Sequence, residues 1–270
     1  MNENLRVAVI QMWAGADVAD NWKRAESLVT QAAETGAQLV VLPEMFAEYG
    51  DLEAATQNAT PLDGPSTMRL ARIASERKIW LVGGSTCELE SASRKIYNTS
   101  QVFNPQGTSV AAYRKIHLFA PQSGELKASN ETTIFSPGDK TGLVATPWGK
   151  LGLSICYDLR FPEVFRELSA AGCTMIAAPS AFTWYSGQRH WEVLVRARAI
   201  ENQAFIFAAN QFGWHDVQRR SYGHSMIVDP QGEILAEAPE DDELVIYADL
   251  DFEAQLRFRA QLPALTHRRL

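Results

Sequence analysis

The sequence has few cysteines, no excess of positive charge and no long apolar run. Its three cysteines, Cys87, Cys156 and Cys173, are an odd number at scattered spacings, which does not fit a secreted disulfide framework. The net charge of -7 gives no general attraction to nucleic acid or anionic membranes. No apolar stretch reaches the roughly 18 residues that span a bilayer, and no secretory signal pattern opens the chain. We therefore expect a cytoplasmic protein that binds neither nucleic acid nor membrane.

Metal and phosphate sites are not indicated either. The five histidines show no paired metal-ligand spacing, and the sequence contains no Cys-x-x-Cys motif. The glycine pair at 83 and 84 lies within an apolar run and lacks the following lysine of a phosphate-binding loop. The sequence therefore predicts no metal and no cofactor.

Short apolar, β-branched runs alternate with longer amphipathic segments along most of the 270 residues. This alternation favours an α/β fold in which helices are layered on sheets. No linker or repeat divides the chain, so we predict a single domain over residues 1–270. Residues 79–89 and 150–158 are each predicted to form one strand, whereas residues 120–142 are predicted to form a long loop, which in other proteins is usually either functional or disordered.

Three reactive side chains come at or near the ends of predicted strands. Glu44 follows the run LVVLP, Lys115 lies near the end of TSVAAYRK, and Cys156 follows LGLSI. Each residue alone has a structural explanation, because a free cysteine is usually buried and a strand-end lysine usually protects a sheet edge. Together they would supply the nucleophile, base and cation of acyl transfer. A carboxylate held out of water beside a thiol would have a raised pKa, which suits a group that accepts and returns a proton.

Three segments extend this interpretation to most of the chain. LPEMF at 42–46, YRKIHLF at 113–119 and ICYDLRFPE at 155–163 resemble, in that order, the signature segments of the nitrilase superfamily of carbon-nitrogen hydrolases. The resemblance implies a four-layer α-β-β-α sandwich. It also implies that two sandwiches pair in a homodimer or a higher homo-oligomer.

The resemblance also implies roles for individual residues. Cys156 would attack the carbon of a small-molecule amide and form a thioester while ammonia or an amine leaves. Glu44 would act as general base and then as acid, and Lys115 with the backbone amide of Tyr157 would hold the oxyanion. SNETTIFSPGD at 129–139 is similar to the family's loop with a second glutamate, structural or catalytic, which is Glu131 here.

Further residues are predicted to bind the substrate. Arg160 would either meet a substrate carboxylate or pair with Glu163 at the start of the next helix. Phe182 and Trp184 follow a strand end, where they would wall the pocket or pack in the core. The predicted pocket also includes Tyr49, Tyr157 and His190, while Cys87 and Cys173 are predicted to be structural.

Residues 180–203, 221–234 and 262–269 resemble the amidase branch that includes deaminated-glutathione amidase and omega-amidase. Nitrilases usually carry tryptophan and glutamate after the nucleophile, where this chain has Tyr157 and Asp158, so an amide is favoured over a nitrile. The chain departs from the common pattern at Ala120, where the family usually has aspartate, and at Arg189, where the branch has alanine. The substrate stays open among deaminated glutathione, 2-oxoglutaramate, 2-oxosuccinamate, other 2-oxo amides, N-carbamoyl amino acids and nitriles.

Two other hypotheses differ in kind. Cys156 could work with His190 or His224 as a Cys-His hydrolase, or the chain could be a non-catalytic interaction subunit. The second is disfavoured by the intact set of Glu, Lys and Cys, because a scaffold has no need to keep buried charges that cost desolvation energy.

Overall fold

The computed structural model describes residues 4–49, 52–122 and 130–269. Within these ranges the strands are β1 Asn4–Gln11, β2 Leu39–Val41, β3 Trp80–Val82, β4 Thr86–Leu89, β5 Ile96–Phe103, β6 Ser109–Arg114, β7 Gly142–Thr146, β8 Gly149–Leu153, β9 Cys173–Ala177, β10 Phe205–Ala208, β11 Phe212–Trp214, β12 Arg220–Tyr222, β13 Met226–Val228, β14 Ile234–Glu237 and β15 Leu244–Asp251. The α-helices are α1 Val18–Glu34, α2 Leu52–Gln57, α3 Pro65–Arg77, α4 Pro162–Ala170, α5 Trp184–Asn202 and α6 Phe252–Gln261.

Two sheets form the centre of the molecule. The first has the order β15-β1-β2-β3-β5-β4, with β6 paired to β5, and the second has the order β14-β13-β10-β9-β8-β7. Strands β1, β2 and β3 run parallel in the first sheet, as do β8, β9 and β10 in the second. Parallel strands bring their carboxyl ends to one edge, where side chains on the following loops can meet.

The sheets pack against each other and carry helices on their outer faces. One buried cluster joins Val7 and Val41 of the first sheet to Leu151 and Ile176 of the second. A separate cluster holds α1 and α3 against the first sheet, whereas α4 and α5 pack on the second. The layers therefore follow the predicted α-β-β-α order.

Helix α1 illustrates how local sequence produces these layers. Its buried residues recur at helical spacing and face the first sheet; they are Asn21, Trp22, Ala25, Leu28, Val29 and Ala32. The side chain of Asp17 precedes the helix and accepts hydrogen bonds from the amides of Ala19 and Asp20, at 2.9 and 3.1 Å. This cap satisfies two of the amide groups that a helix leaves unpaired at its start.

Two predicted strands are shorter than expected. The run at 79–89 is split into β3 and β4, because Gly84 lies between them with φ +58°. A Cβ atom there would come within 2.1 Å of the carbonyl oxygen of Pro43, so only glycine lets the two segments approach. Strand β8 ends at Leu153, and Cys156 begins a short 3₁₀ helix that runs to Arg160.

Other elements were absent from the sequence prediction. Helices α2 and α6 and the hairpin of β11 and β12 were not predicted, and β7 begins where the predicted loop at 120–142 ends. Residues 123–129 of that loop lie outside the described residues. Among the described residues, none of the helices is long and apolar enough to cross a membrane.

His215, just after β11, is buried and its ring makes two hydrogen bonds. Nδ1 lies 3.0 Å from the carbonyl oxygen of Ala14, and Nε2 lies 2.9 Å from Oγ of Ser221. Because a carbonyl oxygen can only accept, Nδ1 carries the proton and Nε2 of the neutral ring accepts from the serine hydroxyl. Burial lowers the pKa of His215 to about 4, although the hydrogen bond to Ala14 acts in the opposite direction.

The free energy of unfolding should therefore fall as the pH is lowered from about 6.5 to about 4. In this window the unfolded chain binds a proton on His215 that the folded chain does not, and the full difference is about 3 kcal/mol. Urea unfolding should show a shallower pH dependence in His215→Gln than in the wild type. The exposed His267 provides the control, His267→Gln, and equal slopes in all three proteins would contradict this expectation.

Candidate active site

Glu44 is held at the end of β2 by a tight turn. Pro43 has no amide hydrogen to extend the strand ladder, and Met45 takes φ +48°. Gln211 donates its Nε2 hydrogens to the carbonyl oxygens of Glu44, at 2.7 Å, and Met45, at 3.2 Å, while the amide of Met45 donates to Oγ of Ser85. These bonds hold the turn in place despite the left-handed backbone of Met45.

The carboxylate of Glu44 is almost fully buried and receives three hydrogen bonds. Oε1 accepts from Nζ of Lys115 at 2.7 Å and from Nδ2 of Asn98 at 2.9 Å. Oε2 accepts from the backbone amide of Ala181 at 2.8 Å. The carboxylate therefore has one fixed orientation, between the ends of the two sheets.

Lys115 follows β6 and places its ammonium between two carboxylates. Nζ donates to Oε1 of Glu44 at 2.7 Å and to Oε1 of Glu131 at 2.8 Å, and the side chain is only 1% exposed. Burial alone would lower the pKa of Lys115, but the charges of Glu131 and Glu44 outweigh it and hold the pKa well above its usual value. Lys115 is therefore a permanent cation in this site.

Glu131 reaches Lys115 from a short 3₁₀ helix at Glu131–Thr133. Its Oε2 accepts from the amide of Phe119 at 2.7 Å, and its own amide donates to the carbonyl oxygen of Phe119 at 2.8 Å. Burial raises the pKa of Glu131; the charge of Lys115 opposes this effect and the charge of Glu44 adds to it. The ammonium of Lys115 is thus hydrogen-bonded to two carboxylates, those of Glu44 and Glu131.

Cys156 begins the 3₁₀ helix beyond β8, with φ +46°, and its amide donates to the carbonyl oxygen of Pro179 at 2.9 Å. Burial raises the pKa of its thiol well above the usual value, and the charge of Glu44 raises it further. Lys115 and the amide of Ala181 act in the opposite direction without reversing the shift. At neutral pH the thiol therefore carries its proton, so nucleophilic attack requires a base.

A cavity opens onto these groups. Glu44, Lys115, Glu131 and Cys156 all lie in its wall. The remaining lining residues are largely apolar or aromatic, as in most small-molecule sites; they are Met45, Tyr49, Leu52, Phe119, Phe135, Tyr157, Arg160, Ala181, Phe182, Thr183 and Ser186. The three distant segments therefore meet around one sulfur atom.

Four of the six predicted pocket residues line this cavity: Tyr49, Tyr157, Arg160 and Phe182. The guanidinium of Arg160 lies 5.1 Å from the ring centre of Phe182 and 5.7 Å from that of Tyr157. Its Nη1 lies 3.2 Å from Nδ1 of His190. Arg160 thus contacts these rings rather than pairing with Glu163. Phe182 lines the cavity and also packs against the core residue Trp191.

Trp184 and His190 are not among the lining residues of the cavity. Nε1 of Trp184 donates to Oε1 of Glu240 at 2.8 Å, and the guanidinium of Arg220 lies 4.8 Å from its ring centre. His190 is exposed and reaches the cavity wall only through Arg160. Arg189, the departure noted in the sequence, is exposed next to it.

The Cys-His hypothesis receives no support from this arrangement. His190 is bonded to Arg160, and Nδ1 of His224 lies 2.8 Å from Oε1 of Glu237. Neither histidine lines the cavity that holds Cys156. Cys87 and Cys173 are buried and unpaired outside that cavity.

Sequence reasoning missed the groups that orient the reactive side chains. Asn98 is a buried polar residue in the middle of β5, and this position in a largely buried strand was a usable signal. The amide of Ala181 and the side chain of Gln211 gave no such signal, because they act on a turn more than 100 residues away. No group of three or more metal-ligating side chains occurs in the described part of the chain.

The sequence matches the carbon-nitrogen hydrolase family over residues 6–258. Omega-amidase NIT2 of Xenopus tropicalis is 39% identical over 265 residues, which cover 98% of this chain and 95% of that protein. A deaminated glutathione amidase of Bos taurus is 41% identical over 270 residues, covering 97% of this chain and 81% of that protein.

A solved structure of the nitrilase superfamily is also similar to this chain. Nit3 of Saccharomyces cerevisiae, a member of branch 10 of the nitrilase superfamily, shares 35% identity with a TM-score of 0.88, over 97% of this chain and 95% of that chain. The predicted four-layer fold and the predicted enzyme class are confirmed by this similarity and the family match. The chain belongs to the carbon-nitrogen hydrolase family of the nitrilase superfamily and is an enzyme that hydrolyses carbon-nitrogen bonds.

Proposed function

We propose that the protein is an amidase that uses Cys156 as its nucleophile on small amides bearing a carboxylate. One observation carries the proposal: a thiol, two carboxylates and a permanent ammonium share a single cavity with the guanidinium of Arg160. The product of the first step is a thioester on Cys156, and ammonia is released. Water then releases the acid.

Acylation begins with Glu44, which takes the proton from the thiol as the sulfur attacks the amide carbon. The carbonyl oxygen becomes negatively charged and is held by the ammonium of Lys115 and the backbone amide of Tyr157. Glu44 then returns the proton to the leaving nitrogen, and the carbon-nitrogen bond breaks. In deacylation Glu44 accepts a proton from water as the water oxygen attacks the carbon of the thioester. The carbon-sulfur bond then breaks, the acid leaves, and Glu44 returns the proton to the sulfur of Cys156.

Glu131 contributes to this cycle through Lys115. When Glu44 becomes protonated, Lys115 loses one of its two negative partners while it must still face the new oxyanion. The bond from Nζ to Oε1 of Glu131, 2.8 Å long, keeps the ammonium charged and in place at that moment. Glu131 is therefore proposed as the fourth member of the catalytic set.

Arg160 provides the basis for recognition of a carboxylate. Its guanidinium lies on the rings of Tyr157 and Phe182 in the cavity wall, and apart from the contact of Nη1 with His190 its hydrogens can bind an anion. Helix α5 begins at the same wall, where Thr183 and Ser186 line the cavity. The positive end of its dipole adds to the attraction for an anion.

The relatives guide the choice among amides. Because the chain is similar to an omega-amidase and to a deaminated glutathione amidase, we propose deaminated glutathione or the ω-amide of a 2-oxo dicarboxylic acid, such as 2-oxoglutaramate or 2-oxosuccinamate, as substrate. Ammonia release should be measured with these amides, with an N-carbamoyl amino acid and with a nitrile. Turnover of only the last two would contradict the proposal.

Replacing Arg160 by glutamine should raise KM at least about tenfold for an amide that carries a carboxylate, because a hydrogen bond between charged groups contributes roughly 1.5–3 kcal/mol. A neutral amide such as propionamide should show less than about a twofold change, since it never uses the guanidinium. Steady-state kinetics on both amides measure the difference. Arg160→Lys keeps the charge but not the planar fork of the guanidinium. Its KM for the amide that carries a carboxylate should lie between that of the wild type and that of Arg160→Gln. Equal losses on both amides would contradict a carboxylate-binding role.

We also propose that residues 1–270 form one domain and that the protein is a homodimer or higher homo-oligomer of the cytoplasm. Unpaired cysteines are compatible with a reducing compartment. Helix α5 carries apolar side chains that are about half exposed or more, namely Tyr185, Val193 and Ile200, and contact with a second copy would cover them. Size-exclusion chromatography coupled to light scattering measures the molar mass of the protein in solution. The mass of a monomer at micromolar concentration would contradict the proposed homo-oligomer.

A further inference from the structure

A buried carboxylate that the mechanism does not use links the segment that carries the thiol to the segment that carries the ammonium. Asp158 is fully buried, two residues after Cys156, and accepts four hydrogen bonds. Its Oδ2 accepts from the hydroxyl of Tyr113 at 2.7 Å and from the amide of Ile155 at 2.9 Å. Its Oδ1 accepts from the amide of His117 at 3.1 Å and from Nδ1 of the same residue at 2.8 Å.

These four donors belong to the two segments that carry the reacting groups. Tyr113 and His117 lie two residues before and two residues after Lys115, whereas Ile155 directly precedes Cys156. Strand β6, which leads to Lys115, belongs to the first sheet, and β8, which leads to Cys156, belongs to the second. One side chain therefore ties the ammonium-bearing segment to the thiol-bearing segment across the interface of the two sheets.

We propose that Asp158 is a positioning residue that sets the distance between the sulfur of Cys156 and the ammonium of Lys115. The inference rests on the proposed roles of these two residues. The oxyanion forms on the carbon that the sulfur attacks, so its distance from Nζ depends on the register of the two segments. A misplacement of about 1 Å in such a site can cost about 10²-fold in rate.

The same carboxylate orients the aromatic side of the cavity. Oδ1 can only accept, so His117 carries its proton on Nδ1, and this bond fixes the plane of the imidazole ring. The ring stacks on Phe161 with centres 3.7 Å apart and planes 5° apart, and Phe161 in turn contacts the edge of Tyr157 at 5.3 Å. Tyr157 supplies the second proposed donor to the oxyanion. Asp158 thus acts on Lys115 through the neighbouring Tyr113 and His117, and its contacts extend through the stacked rings to the side chain of Tyr157.

The four donors are satisfied only by a side chain with two acceptor oxygens, each of which accepts two hydrogen bonds. In Asp158→Asn, one oxygen is replaced by an amino group, which opposes two donors and breaks one side of the clamp. In Asp158→Glu both acceptors remain on a side chain one methylene longer. Asparagine should therefore impair the oxyanion geometry more than glutamate does.

The test compares two reactions of the same sulfur. Amide hydrolysis passes through an oxyanion, whereas alkylation of Cys156 by iodoacetamide does not form one. We expect Asp158→Asn to lower kcat about 10²-fold with KM within about threefold, and to change the alkylation rate of Cys156 less than about threefold. Each kcat is calculated per mole of Cys156 thiol that iodoacetamide can alkylate. Asp158→Glu should recover part of the kcat that Asp158→Asn loses.

A remote turn aspartate provides the matched control. Asp229 accepts from the amides of Gln231 and Glu233, both at 2.8 Å, in the turn between β13 and β14. Asp229→Asn should leave kcat and alkylation unchanged. Tyr113→Phe removes one donor and keeps the carboxylate. It should lower kcat severalfold and leave the alkylation rate of Cys156 unchanged. This variant tests the proposal if Asp158→Asn does not fold.

Parallel losses of hydrolysis and alkylation, or an unchanged kcat in Asp158→Asn, would overturn the positioning role. A wild-type enzyme that releases no ammonia from any amide would instead contradict the proposed function. The two failures are therefore distinguishable. A loss of thermal stability with normal kcat per titrated thiol would assign Asp158 a purely structural role.

Discussion

Cys156→Ala should lower kcat for amide hydrolysis by at least about 10⁴-fold, because no thioester forms without the sulfur. The remaining groups of the cavity stay in place, so a carboxylate-bearing amide should still bind. The wild-type enzyme, quenched in acid during turnover, should carry the mass of the acyl group on the peptide that contains Cys156. Ammonia release, calorimetric binding and peptide mass measure these three expectations.

Cys173→Ala is the matched control for this substitution. Cys173 is also buried and unpaired, but it opens β9 and donates its thiol hydrogen to the carbonyl oxygen of Met175. Its removal should cost some stability and leave kcat per folded molecule within about twofold. If Cys156→Ala kept more than about one hundredth of the wild-type kcat, the nucleophile would have to be another group.

The sequence predicted secondary structure best where periodicity and caps agree. The helix expected at residues 20–35 is α1, Val18–Glu34, and the hairpin expected from 97 to 119 is the pair β5 and β6. The errors fall where an apolar run continues through a turn. The apolar pattern of residues 79–89 continues across the break at Gly84. The backbone of Gly84 lies against the carbonyl of Pro43, and only the tertiary structure reveals that approach.

The reactive side chains of the site were accessible to sequence reasoning because strand ends hold them. Glu44, Lys115 and Cys156 follow β2, β6 and β8 directly or within three residues, so a reading of strands alone placed them at sheet edges. Glu131 required the family resemblance, since it lies beyond a loop with no strand of its own. The amide of Ala181 was out of reach, because a backbone group carries no residue signature.

Helix geometry explains why Trp184 was predicted to line the pocket and does not. Residues three apart on a helix share a face, whereas adjacent residues point about 100° apart. Thr183 and Ser186 line the cavity at the start of α5, so Trp184 turns away from it to Glu240. The sequence indicated the right segment, but the rotation of the helix about its axis depends on tertiary packing.

Glu44→Gln should lower kcat about 10³-fold, since loss of general-base catalysis typically costs 10²–10⁴-fold. The pKa of the Cys156 thiol lies well above its usual value, so almost none of the sulfur is ionised at neutral pH without a base. Glutamine cannot carry the proton to the leaving nitrogen. Hydrolysis should therefore stay slow at every pH.

Alkylation of the same variant should behave differently and so identify the role of Glu44. The negative charge of Glu44 raises the pKa of the Cys156 thiol, so its removal should lower that pKa, although burial keeps it above the usual value. Alkylation by iodoacetamide in Glu44→Gln should rise about tenfold per pH unit below the pKa of the thiol, because only the thiolate reacts.

Glu48→Gln is the control for this change. Glu48 lies in the same turn and its Oε2 accepts from the amide of Cys87 at 3.1 Å, but it does not line the cavity. Its replacement should change kcat less than about threefold. If Glu44→Gln regained hydrolysis at high pH in parallel with alkylation, Glu44 would serve only to ionise the sulfur. A hydrolysis rate that stays low while alkylation rises shows instead that Glu44 must also return the proton to nitrogen.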